Sequence, residues 1–348
     1  MKQTELKHIN KIGIVMFGLL GDVLMRTPII EAIRQLYPNA EITAICDAST
    51  QAVLRDNAKI NNFIVFDKKN KNSIKKTMSK LKGFLSVRQA KYDLLIDLYN
   101  GGSSSFIVRI SKARYRLGYD HQKNKKFYNL FSDGLEQVNT KIHSYNASIM
   151  SILKPLSAKT FSLYPQFFID QATVEKMAEY KNNFINNGQK IYILNLGAGG
   201  EEKLLDTAKY FEIVKYIYEK YGYIAAIVRN PSQEFLQEQL IKEYLLSTSI
   251  EFIKLKPLSI GEIAALIKLS AFIITPDTGL MHLAFSQNAF VYTPFTYTNP
   301  DLVDINNDKF IPVYEHFDSG VFGQTQKISI ETLLKNVDTL FQKISYEK

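Results

Sequence analysis

One junction in the last third of the chain constrains its fold most strongly. The apolar run from Ala271 to Thr275 is typical of a buried strand, and after one proline it leads into Asp277-Thr278-Gly279-Leu280-Met281-His282-Leu283-Ala284. The sequence therefore predicts a strand that opens into a helix. The first backbone N–H groups of a helix have no partner within it, and the helix dipole adds partial positive charge, so such a turn can hold a phosphate.

Individual residues of this run support the phosphate hypothesis. Gly279 permits close backbone approach, and Thr278 and His282 add hydrogen-bond donors. For any one residue a structural role is the simpler interpretation, because Asp277 or Thr278 can cap the helix and His282 can pack. The run taken together favours a binding site.

A second strand-to-helix junction lies near the N-terminus. Ile12 to Phe17 is an apolar run of parallel-strand character, and Gly18-Leu19-Leu20-Gly21-Asp22 follows it. The two glycines lack the G-x-G-x-x-G spacing of a dinucleotide-binding turn, and no Gly-Lys-Ser/Thr ending of a P-loop is present. Ligands of open α/β sheets bind at the carboxyl ends of the strands, so Asp22 is predicted either as a general base or as a helix-capping aspartate.

Strands and helices alternate along the whole chain, as in parallel α/β sheets. The predicted strands are Lys11 to Phe17, Glu41 to Cys46, Asn62 to Phe66, Tyr92 to Leu98, Tyr115 to Gly118, Lys190 to Leu196, Tyr223 to Val228, Ile250 to Ile253 and Ala271 to Thr275. At 348 residues the chain exceeds the usual size of one hydrophobic core, so we expect two domains. The segment from Pro155 to Pro165 breaks the periodicity and is the predicted connection, which gives domains at 1–165 and 166–327. A last helix is predicted over about Ser329 to Ile344.

A helix is also predicted over Ser73 to Gln89 in the first domain. Its apolar residues recur at helical spacing, a pattern typical of a face that packs on a core. These residues are Ile74, Met78, Leu81 and Leu85.

A glycine-rich turn follows the predicted strand Lys190 to Leu196. It reads Gly197-Ala198-Gly199-Gly200-Glu201-Glu202-Lys203, in which glycines let the backbone approach a diphosphate and Lys203 can add a point charge. Glycine-rich turns are also common structural connectors, so this segment by itself leaves both interpretations open.

Three motifs, in this order and at these separations, resemble the heptosyltransferase family of glycosyltransferases, family 9. They are the runs from Gly21 to Pro28, from Gly197 to Gly200 and from Asp277 to Ala284, which together span most of the chain. The resemblance implies the GT-B architecture, with two Rossmann-like domains whose parallel sheets face a central cleft. The first domain would bind the acceptor and the second the nucleotide sugar, and the helix within 328–348 would pack back on the first domain.

The resemblance also implies an activity and the residues that carry it. Family members transfer heptose from ADP-heptose, a substrate and not a bound cofactor, to the lipopolysaccharide core or a related glycolipid, without a metal. Asp22 would remove the proton from an acceptor hydroxyl in a single inverting displacement, with Gly21, Arg26 and Thr27 on the acceptor side. The donor and its leaving diphosphate would be bound by Gly197, Ala198, Gly199, Lys203, Asp277, Thr278, Gly279 and His282.

Glu234 falls where the family often has a glutamate that meets the nucleoside of the donor. A carboxylate can accept hydrogen bonds from ribose hydroxyls, which gives this assignment a mechanism. An exposed first-turn glutamate, favoured by the helix dipole, is an equally simple interpretation.

Two segments depart from the family pattern. Lys203 is followed by Leu204-Leu205-Asp206, where the family usually has a variable residue, then tryptophan and proline. Beyond the last motif the chain reads Pro294-Phe295-Thr296, where the family commonly has a glycine. These departures leave two alternatives open: a GT-B transferase with a different nucleotide-sugar donor, and a noncatalytic relative that binds nucleotide sugar.

Charge is distributed unevenly along the chain. Of the 43 basic and 34 acidic residues, 26 basic and 12 acidic residues lie up to Pro165. Such a basic half favours an anionic glycolipid or an anionic membrane surface as partner, although a solvated lysine face is an equally simple interpretation. The basic clusters are Lys68 to Lys82 and Lys123 to Lys126. Neither zinc-finger spacing nor an RNP-like motif nor an arginine-rich arm is present, so nucleic acid is not an expected partner.

Other function classes fit the sequence poorly. The single cysteine, Cys46, and five histidines have no metal-ligand spacing, and no Asp-x-Asp pair occurs, so we expect no metal. A nicotinamide oxidoreductase would need the glycine spacing that is missing here. The N-terminus has no apolar signal core and no run of about 18 apolar residues occurs, so we expect a cytoplasmic protein that acts at the inner face of the inner membrane if it contacts lipid.

Overall fold

The structure is a computed structural model that describes residues 6, 8–68, 71–121, 124–132, 145–156, 162–185, 188–230, 233–303, 305–318 and 323–347. The chain divides into two compact units, 1–168 and 169–348, each described here by itself. The centre of the predicted connection, 157–161, lies outside the described residues. Lys69 and Lys123 of the two basic clusters also lie outside them.

The first unit is a parallel sheet with helices between its strands. Its strands are β1 (Lys11–Met16), β2 (Glu41–Asp47), β3 (Asn62–Phe66), β4 (Leu94–Asp97), β5 (Tyr115–Tyr119) and β6 (Leu130–Ser132). Its helices are α1 (Leu20–Leu36), α2 (Gln51–Leu54), α3 (Ser73–Ala90), α4 (Gly102–Ser111) and α5 (Tyr145–Met150). Short 3₁₀ helices cover Lys125–Phe127 and Ser151–Leu156.

The strand order of the first sheet creates a binding edge. The order is β3-β2-β1-β4-β5-β6, and every neighbouring pair is parallel. Ile12 to Met16 in β1 are buried, as expected for a central strand covered on both faces. The order reverses between β1 and β4, so the following connections diverge and leave a crevice at the carboxyl ends of these two strands.

The second unit repeats this plan. Its strands are β7 (Lys190–Leu194), β8 (Tyr223–Ile227), β9 (Phe252–Lys254), β10 (Ile273–Ile274), β11 (Val291–Pro294) and β12 (Phe310–Val313). Its helices are α6 (Gln171–Asn182), α7 (Thr207–Tyr221), α8 (Glu234–Gln239), α9 (Ile260–Leu269), α10 (Gly279–Ser286) and α11 (Ile330–Tyr346). A π-helical turn covers Leu240–Tyr244, and 3₁₀ helices cover Glu201–Lys203, Leu245–Ser247 and Pro300–Leu302.

The second sheet has the order β12-β11-β10-β7-β8-β9, again with parallel pairs. Its order reverses between β7 and β10, so the glycine turn after β7 and the Asp277 run after β10 lie at one edge. The predicted architecture of two Rossmann-like α/β domains is confirmed, because each unit has a six-stranded parallel sheet with one reversal. Within the described ranges, no helix is both long and apolar enough to cross a membrane.

The C-terminal helix α11 uses its apolar face within the second unit. The helix contacts α7, β11 and β12. Its buried residues at helical spacing belong to the core of that unit; they are Leu333, Val337, Leu340 and Ile344. The apolar stripe of α11 is therefore filled by the second unit, and the packing of the helix within 328–348 on the first domain stays a prediction.

Candidate active site

The turn after β1 brings the Asp22 carboxylate against the backbone. Gly18 has a φ of +134°, and a Cβ on this residue would lie 2.7 Å from Asp22 Oδ2, so only glycine fits. Asp22 Oδ2 accepts a hydrogen bond from the backbone N–H of Leu19 at 2.8 Å. Oδ1 of Asp22 accepts no hydrogen bond from the described residues. Asp22 therefore caps its helix with one carboxylate oxygen only.

Arg26 lies one helical turn beyond Asp22 and braces the same junction. Its guanidinium donates to the carbonyl oxygen of Phe17, at the end of β1. Burial lowers the pKa of Arg26 below its ordinary value, and the charges of Asp22 and Asp97 offset part of that effect. Arg26 thus places a fixed positive charge beneath the Asp22 carboxylate.

Thr27 faces the interior of the first unit. It is fully buried, and its hydroxyl donates to the carbonyl oxygen of Leu24 at 2.7 Å. The same hydroxyl accepts from the backbone N–H of Gln166 at 2.7 Å, which ties the end of the unit to α1. Neither Gly21 nor Arg26 nor Thr27 lines the pocket beside Asp22.

That pocket, of about 300 Å³, opens at the carboxyl edge of the first sheet. It is lined by Gly18, Leu19, Asp22, Asp47, Ala48, Ser49, Phe66, Asp67, Lys68 and Tyr99, which come from the ends of β1 to β4. Lys68 Nζ lies 3.0 Å from Asp47 Oδ1 and 3.2 Å from the centre of the Phe17 ring. Such a mixture of carboxylates, one ammonium group and aromatic rings suits a polar sugar.

Sequence reasoning missed Asp47, Lys68 and Tyr99 as pocket residues. The signal was present, because each lies at or just after the carboxyl end of a predicted strand. Asp22 lies in a glycine turn that the sequence marks clearly, whereas these three residues follow strands without a recognisable motif.

Asp97 lies beneath this edge at the end of β4. Its carboxylate is fully buried and accepts from the Tyr128 hydroxyl at 2.6 Å and from the backbone N–H of Tyr99 at 2.9 Å. Burial raises the pKa of Asp97, and these hydrogen bonds counteract part of the rise. Asp97 thereby fixes the backbone that carries Tyr99 to the pocket.

In the second unit, Asp277 joins two of the sequence motifs. Its Oδ2 accepts from Lys203 Nζ at 2.6 Å and from the Thr298 hydroxyl at 2.7 Å. The Asp277 side chain is 11% exposed and that of Lys203 is 27% exposed. Despite the departure from the family pattern after Lys203, the ammonium group reaches the edge at which the Asp277 run begins.

Thr278 is the N-cap of α10. Its hydroxyl accepts from the backbone N–H of Leu280 at 3.2 Å and lies 3.3 Å from the Thr275 hydroxyl. Asn195, after β7, donates to that Thr275 hydroxyl at 2.9 Å and to the carbonyl oxygen of Gly197 at 3.0 Å. A hydrogen-bonded chain therefore connects the two strand ends on either side of the reversal.

The remaining predicted residues of α10 have different environments. Gly279 is the first residue of the helix, so its N–H has no partner within the helix. His282 is buried at 4% exposure, and its ring meets Phe285 edge-on at 6.0 Å between centroids. His282 is thus packed in the body of the helix.

The glycine turn is held by the loop after β8. A Cβ on Gly197 would lie 2.3 Å from Asn230 Nδ2, so a larger residue here would displace the side chains of this loop. The backbone N–H of Ala198 donates to Gln233 Oε1 at 2.9 Å. At Gly199, by contrast, a Cβ would meet nothing within 4 Å, so space is open beside that residue.

Glu234 begins α8 and is paired with Arg229. The two make a forked contact, with Nε to Oε1 at 2.8 Å and a terminal nitrogen to Oε2 at 3.2 Å. Both side chains are about one-third exposed, so each stays accessible to a ligand. The contact orients the Glu234 carboxylate near the turn that holds Ala198.

A comparison with models of protein families identifies the family of this chain. The model of glycosyltransferase family 9 (heptosyltransferase) matches residues 81–327. The chain belongs to this family. It is therefore a glycosyltransferase of the heptosyltransferase family, as its motifs predicted.

Relatives of this family 9 glycosyltransferase are distant in sequence. Lipopolysaccharide heptosyltransferase 1 of Campylobacter coli is 24% identical, over 95% of this chain and 99% of that protein. Lipopolysaccharide heptosyltransferase 3 of Escherichia coli is 24% identical, but the alignment covers only 62% of this chain and 63% of that protein. The solved structure of ADP-heptose LPS heptosyltransferase II of E. coli has a TM-score of 0.78 at 16% identity, over 97% of this chain and 100% of that chain, and this likeness shows the shared fold.

Among the residues that the structure describes, no group of three or more histidine, cysteine, aspartate or glutamate side chains could hold a metal ion. Cys46 is buried in β2, and burial raises the pKa of its thiol to about 12.

Proposed function

We propose that this chain transfers heptose from ADP-heptose to the lipopolysaccharide core or a related glycolipid, with inversion at the anomeric carbon. The observation that carries the proposal is the Asp22 carboxylate, held by one oxygen at the reversal of a Rossmann-like sheet and lining a pocket of about 300 Å³. Relatives named as lipopolysaccharide heptosyltransferases support the choice of sugar and acceptor.

On the acceptor side, Asp22 acts as the general base. Its second oxygen takes the proton from an acceptor hydroxyl, and the resulting nucleophile attacks the anomeric carbon of the donor sugar. Arg26 places a positive charge near the Asp22 carboxylate, and Gly18 permits the close turn. The Lys68 ammonium group, which pairs with Asp47 and lies over the Phe17 ring, can donate a hydrogen bond to an oxygen of the acceptor sugar.

On the donor side, the leaving diphosphate is stabilised at the edge between β7 and β10. The N-terminus of α10 at Gly279 supplies N–H groups and dipole charge, and Lys203 supplies an ammonium group that Asp277 keeps in place. Lys203 has three N–H donors, so it can bind phosphate oxygens while it retains Asp277. The open space beside Gly199 is where the diphosphate passes the backbone, and Glu234 accepts from the ribose hydroxyls.

His282 has a supporting role in this proposal. Because its ring is buried in α10 beside Phe285, it fixes the helix whose N-terminus meets the diphosphate. The proposed reaction uses no metal, since the α10 dipole and Lys203 balance the charge that a divalent cation balances in other transferases.

We propose that the reaction takes place at the cytoplasmic face of the inner membrane. The acceptor is lipid-linked, and the basic first half of the chain suits an anionic surface. Nucleic acid has no place in this proposal.

The noncatalytic alternative has less support. Phe295, one of the two departures from the family pattern, is 1% exposed and packs against Phe310 with ring centroids 6.1 Å apart. It therefore fills the core and leaves the site unobstructed. Lys203, at the other departure, still pairs with Asp277.

One assay separates these alternatives. The purified chain is incubated with ADP-heptose and heptose-deficient lipopolysaccharide core, and transfer is followed by mass spectrometry. A parallel thermal-shift series compares ADP, UDP, GDP and NAD, because a ligand that binds only the folded state raises the melting temperature. Transfer together with preference for ADP supports the proposal. ADP binding without transfer favours the noncatalytic alternative, and preference for UDP or GDP favours a different donor.

A further inference from the structure

Helix α3 carries an apolar stripe that faces solvent. The four apolar residues whose spacing predicts a packed face are all exposed: Ile74 by 72%, Met78 by 51%, Leu81 by 59% and Leu85 by 52%. The residues that α3 buries are instead Gly83 and Val87.

Helix geometry explains this exposure. A helix turns about 100° per residue, so the four apolar residues fall within a sector of about 60° that lies roughly opposite Gly83 and Val87. A Cβ on Gly83 would lie 2.6 Å from the Phe66 ring, so the glycine side of α3 packs against the sheet. The helix cannot turn its stripe inward without losing this contact.

The stripe is part of a wider apolar surface. On one side, Leu81 and Leu85 line a hollow of about 360 Å³ together with Phe106 of α4, which is 41% exposed. On the other side, Met78 lines a hollow of about 400 Å³ beside the edge strand β3. Exposed apolar patches of this extent mark interaction sites in soluble proteins.

Basic residues surround this surface. Helices α3 and α4 contain no aspartate or glutamate. Exposed cations lie on these helices and just after α4, and none forms an ion pair with a carboxylate of the described residues; they are Lys75, Lys80, Lys82, Arg88, Arg109 and Lys112. Lys82 and Arg88 flank the two sides of the stripe, where their long stems can lie along apolar material while their charges reach anionic groups.

We propose that the exposed face of α3, with Phe106, docks the first domain onto an anionic phospholipid bilayer. An amphipathic helix with an apolar stripe and flanking lysine or arginine residues lies in the interface of such a membrane. The charge distribution favours lipid over a second copy of this chain, because two such faces would bring like charges together. The α3 docking surface is defined by Ile74, Met78, Leu81, Leu85 and Phe106.

The docking surface is connected to the pocket beside Asp22. The backbone N–H of Asp67, a pocket residue, donates to Ser79 Oγ of α3 at 2.9 Å. A bilayer that holds α3 therefore holds the pocket loop near lipid headgroups. This inference rests on the proposed function only in that the acceptor there is lipid-linked.

The test is co-sedimentation of the full chain with vesicles. Vesicles of phosphatidylcholine with phosphatidylglycerol are compared with phosphatidylcholine alone, for the wild type and two sets of variants. Leu81→Ser with Leu85→Ser removes part of the stripe, and Phe235→Ser with Leu246→Ser is its control on exposed apolar residues of the second unit. Thermal melts check that each variant is folded.

The charge series uses Lys75→Gln, Lys82→Gln and Arg88→Gln combined. Its control combines Lys268→Gln, Lys327→Gln and Lys335→Gln, three exposed lysines of the second unit that give the same change in net charge. Each basic residue near an anionic surface strengthens binding about fivefold, so the α3 triple should weaken it roughly 100-fold. The stripe variant should weaken it about tenfold or more, and both controls should stay near the wild type.

Three outcomes would overturn the proposal. The first is equal binding to both kinds of vesicle, and the second is equal loss of binding in the α3 variants and their controls. The third is a wild-type dimer in sedimentation velocity that the stripe variant dissociates, without vesicle binding. Transfer to a delipidated core oligosaccharide is measured in parallel, and it should persist in the α3 variants. If the wild type binds vesicles but transfers no sugar, the result contradicts the proposed function and leaves the docking proposal standing.

Discussion

At the residue scale, neighbouring charges and backbone groups orient the side chains of the candidate site. Asp22 has one oxygen bound to the Leu19 N–H at 2.8 Å, so its second oxygen points from a fixed position. Asp277 holds the Lys203 ammonium group at 2.6 Å in the same manner. In both cases a neighbouring charge or backbone group orients a side chain before any ligand binds, which reduces the entropy cost of binding.

Replacement of the proposed base should abolish most of the activity. Asp22→Asn keeps the shape and can still form one hydrogen bond, but it cannot accept a proton, so kcat should fall by about 10²–10⁴-fold. Isothermal titration calorimetry should give Asp22→Asn a dissociation constant for ADP within about twofold of the wild-type value. The control is Asp56→Asn at an exposed site of the same unit, which should keep full activity. Near-normal turnover of Asp22→Asn would remove this residue from the base role.

Gly18→Ala should destabilise the first unit. The added Cβ would lie 2.7 Å from Asp22 Oδ2 in a backbone conformation that side chains rarely adopt, at a cost of about 1–3 kcal/mol. We expect the melting temperature to fall by about 3–9 °C in calorimetry. Gly102→Ala is the matched control, because its Cβ would meet nothing within 4 Å. Equal melting temperatures for the two variants would contradict the strain argument.

Lys203→Met should weaken ADP binding. The change removes a charge-assisted hydrogen bond to the diphosphate, worth about 1.5–3 kcal/mol, so the dissociation constant should rise roughly 10- to 100-fold. Lys203→Arg keeps the charge and should recover part of the affinity, whereas Lys335→Met on α11 should change nothing. An unchanged dissociation constant for Lys203→Met would show that Lys203 serves only to hold Asp277.

At the element scale, the site is made by strand ends followed by capped helices. The turn after β1 leads to α1, the turn after β7 leads to Lys203, and β10 leads to α10. Helix capping also stabilises the fold away from the site. Ser259 caps α9 with a reciprocal pair, in which the N–H of Ser259 donates to Glu262 Oε2 at 2.7 Å and its hydroxyl accepts from the N–H of Glu262 at 3.3 Å.

This cap should make the folding stability of the second unit depend on pH. Hydrogen bonds from Lys176 and from the backbone of Ser259 lower the pKa of Glu262 to about 2. The ordinary glutamate pKa is about 4.3, so the stabilisation is fully present above that value and is lost as the pH falls toward 2.

Glu262→Gln should therefore lower the melting temperature at pH 7 by a few degrees. The difference from the wild type should shrink as the pH falls from about 5 to 3. Thermal melts across this range measure it, with Glu219→Gln on α7 as the control. A difference that stays constant with pH would contradict the role of the Glu262 charge.

At the scale of the whole molecule, two sheets of the same topology share one chain, and each reverses its strand order once. The first edge is lined by carboxylates and the second by glycine, threonine and lysine. This division of chemistry fits one unit for the acceptor and one for the anionic donor.

Transfer should not depend on a divalent metal. With Lys203 and the α10 N-terminus balancing the diphosphate charge, EDTA at millimolar concentration should leave the initial rate within about 20% of the untreated rate. Added magnesium should not raise the rate of the chelated enzyme. Loss of activity with EDTA and recovery with magnesium or manganese would refute a metal-free reaction.

The sequence by itself determined the class of fold and the motifs of the site. Alternating apolar runs predicted most of the strands, because buried parallel strands are continuously apolar, and glycine turns marked β1 and β7 as binding edges. The short strands β6, β11 and β12 were not predicted. Tertiary structure decided what spacing cannot encode: that Thr27 is buried, that Lys203 meets Asp277, and that Lys68 joins the pocket.

Tertiary structure also decided which apolar faces are covered. Helices α3 and α11 both carry an apolar stripe, yet the stripe of α11 is buried in its own unit while the stripe of α3 faces solvent. Periodicity reports that a helix has an apolar side, but the partner of that side depends on which elements the fold brings next to it. For α3 the close contact of Gly83 with Phe66 makes that choice, and no local pattern in the sequence contains it.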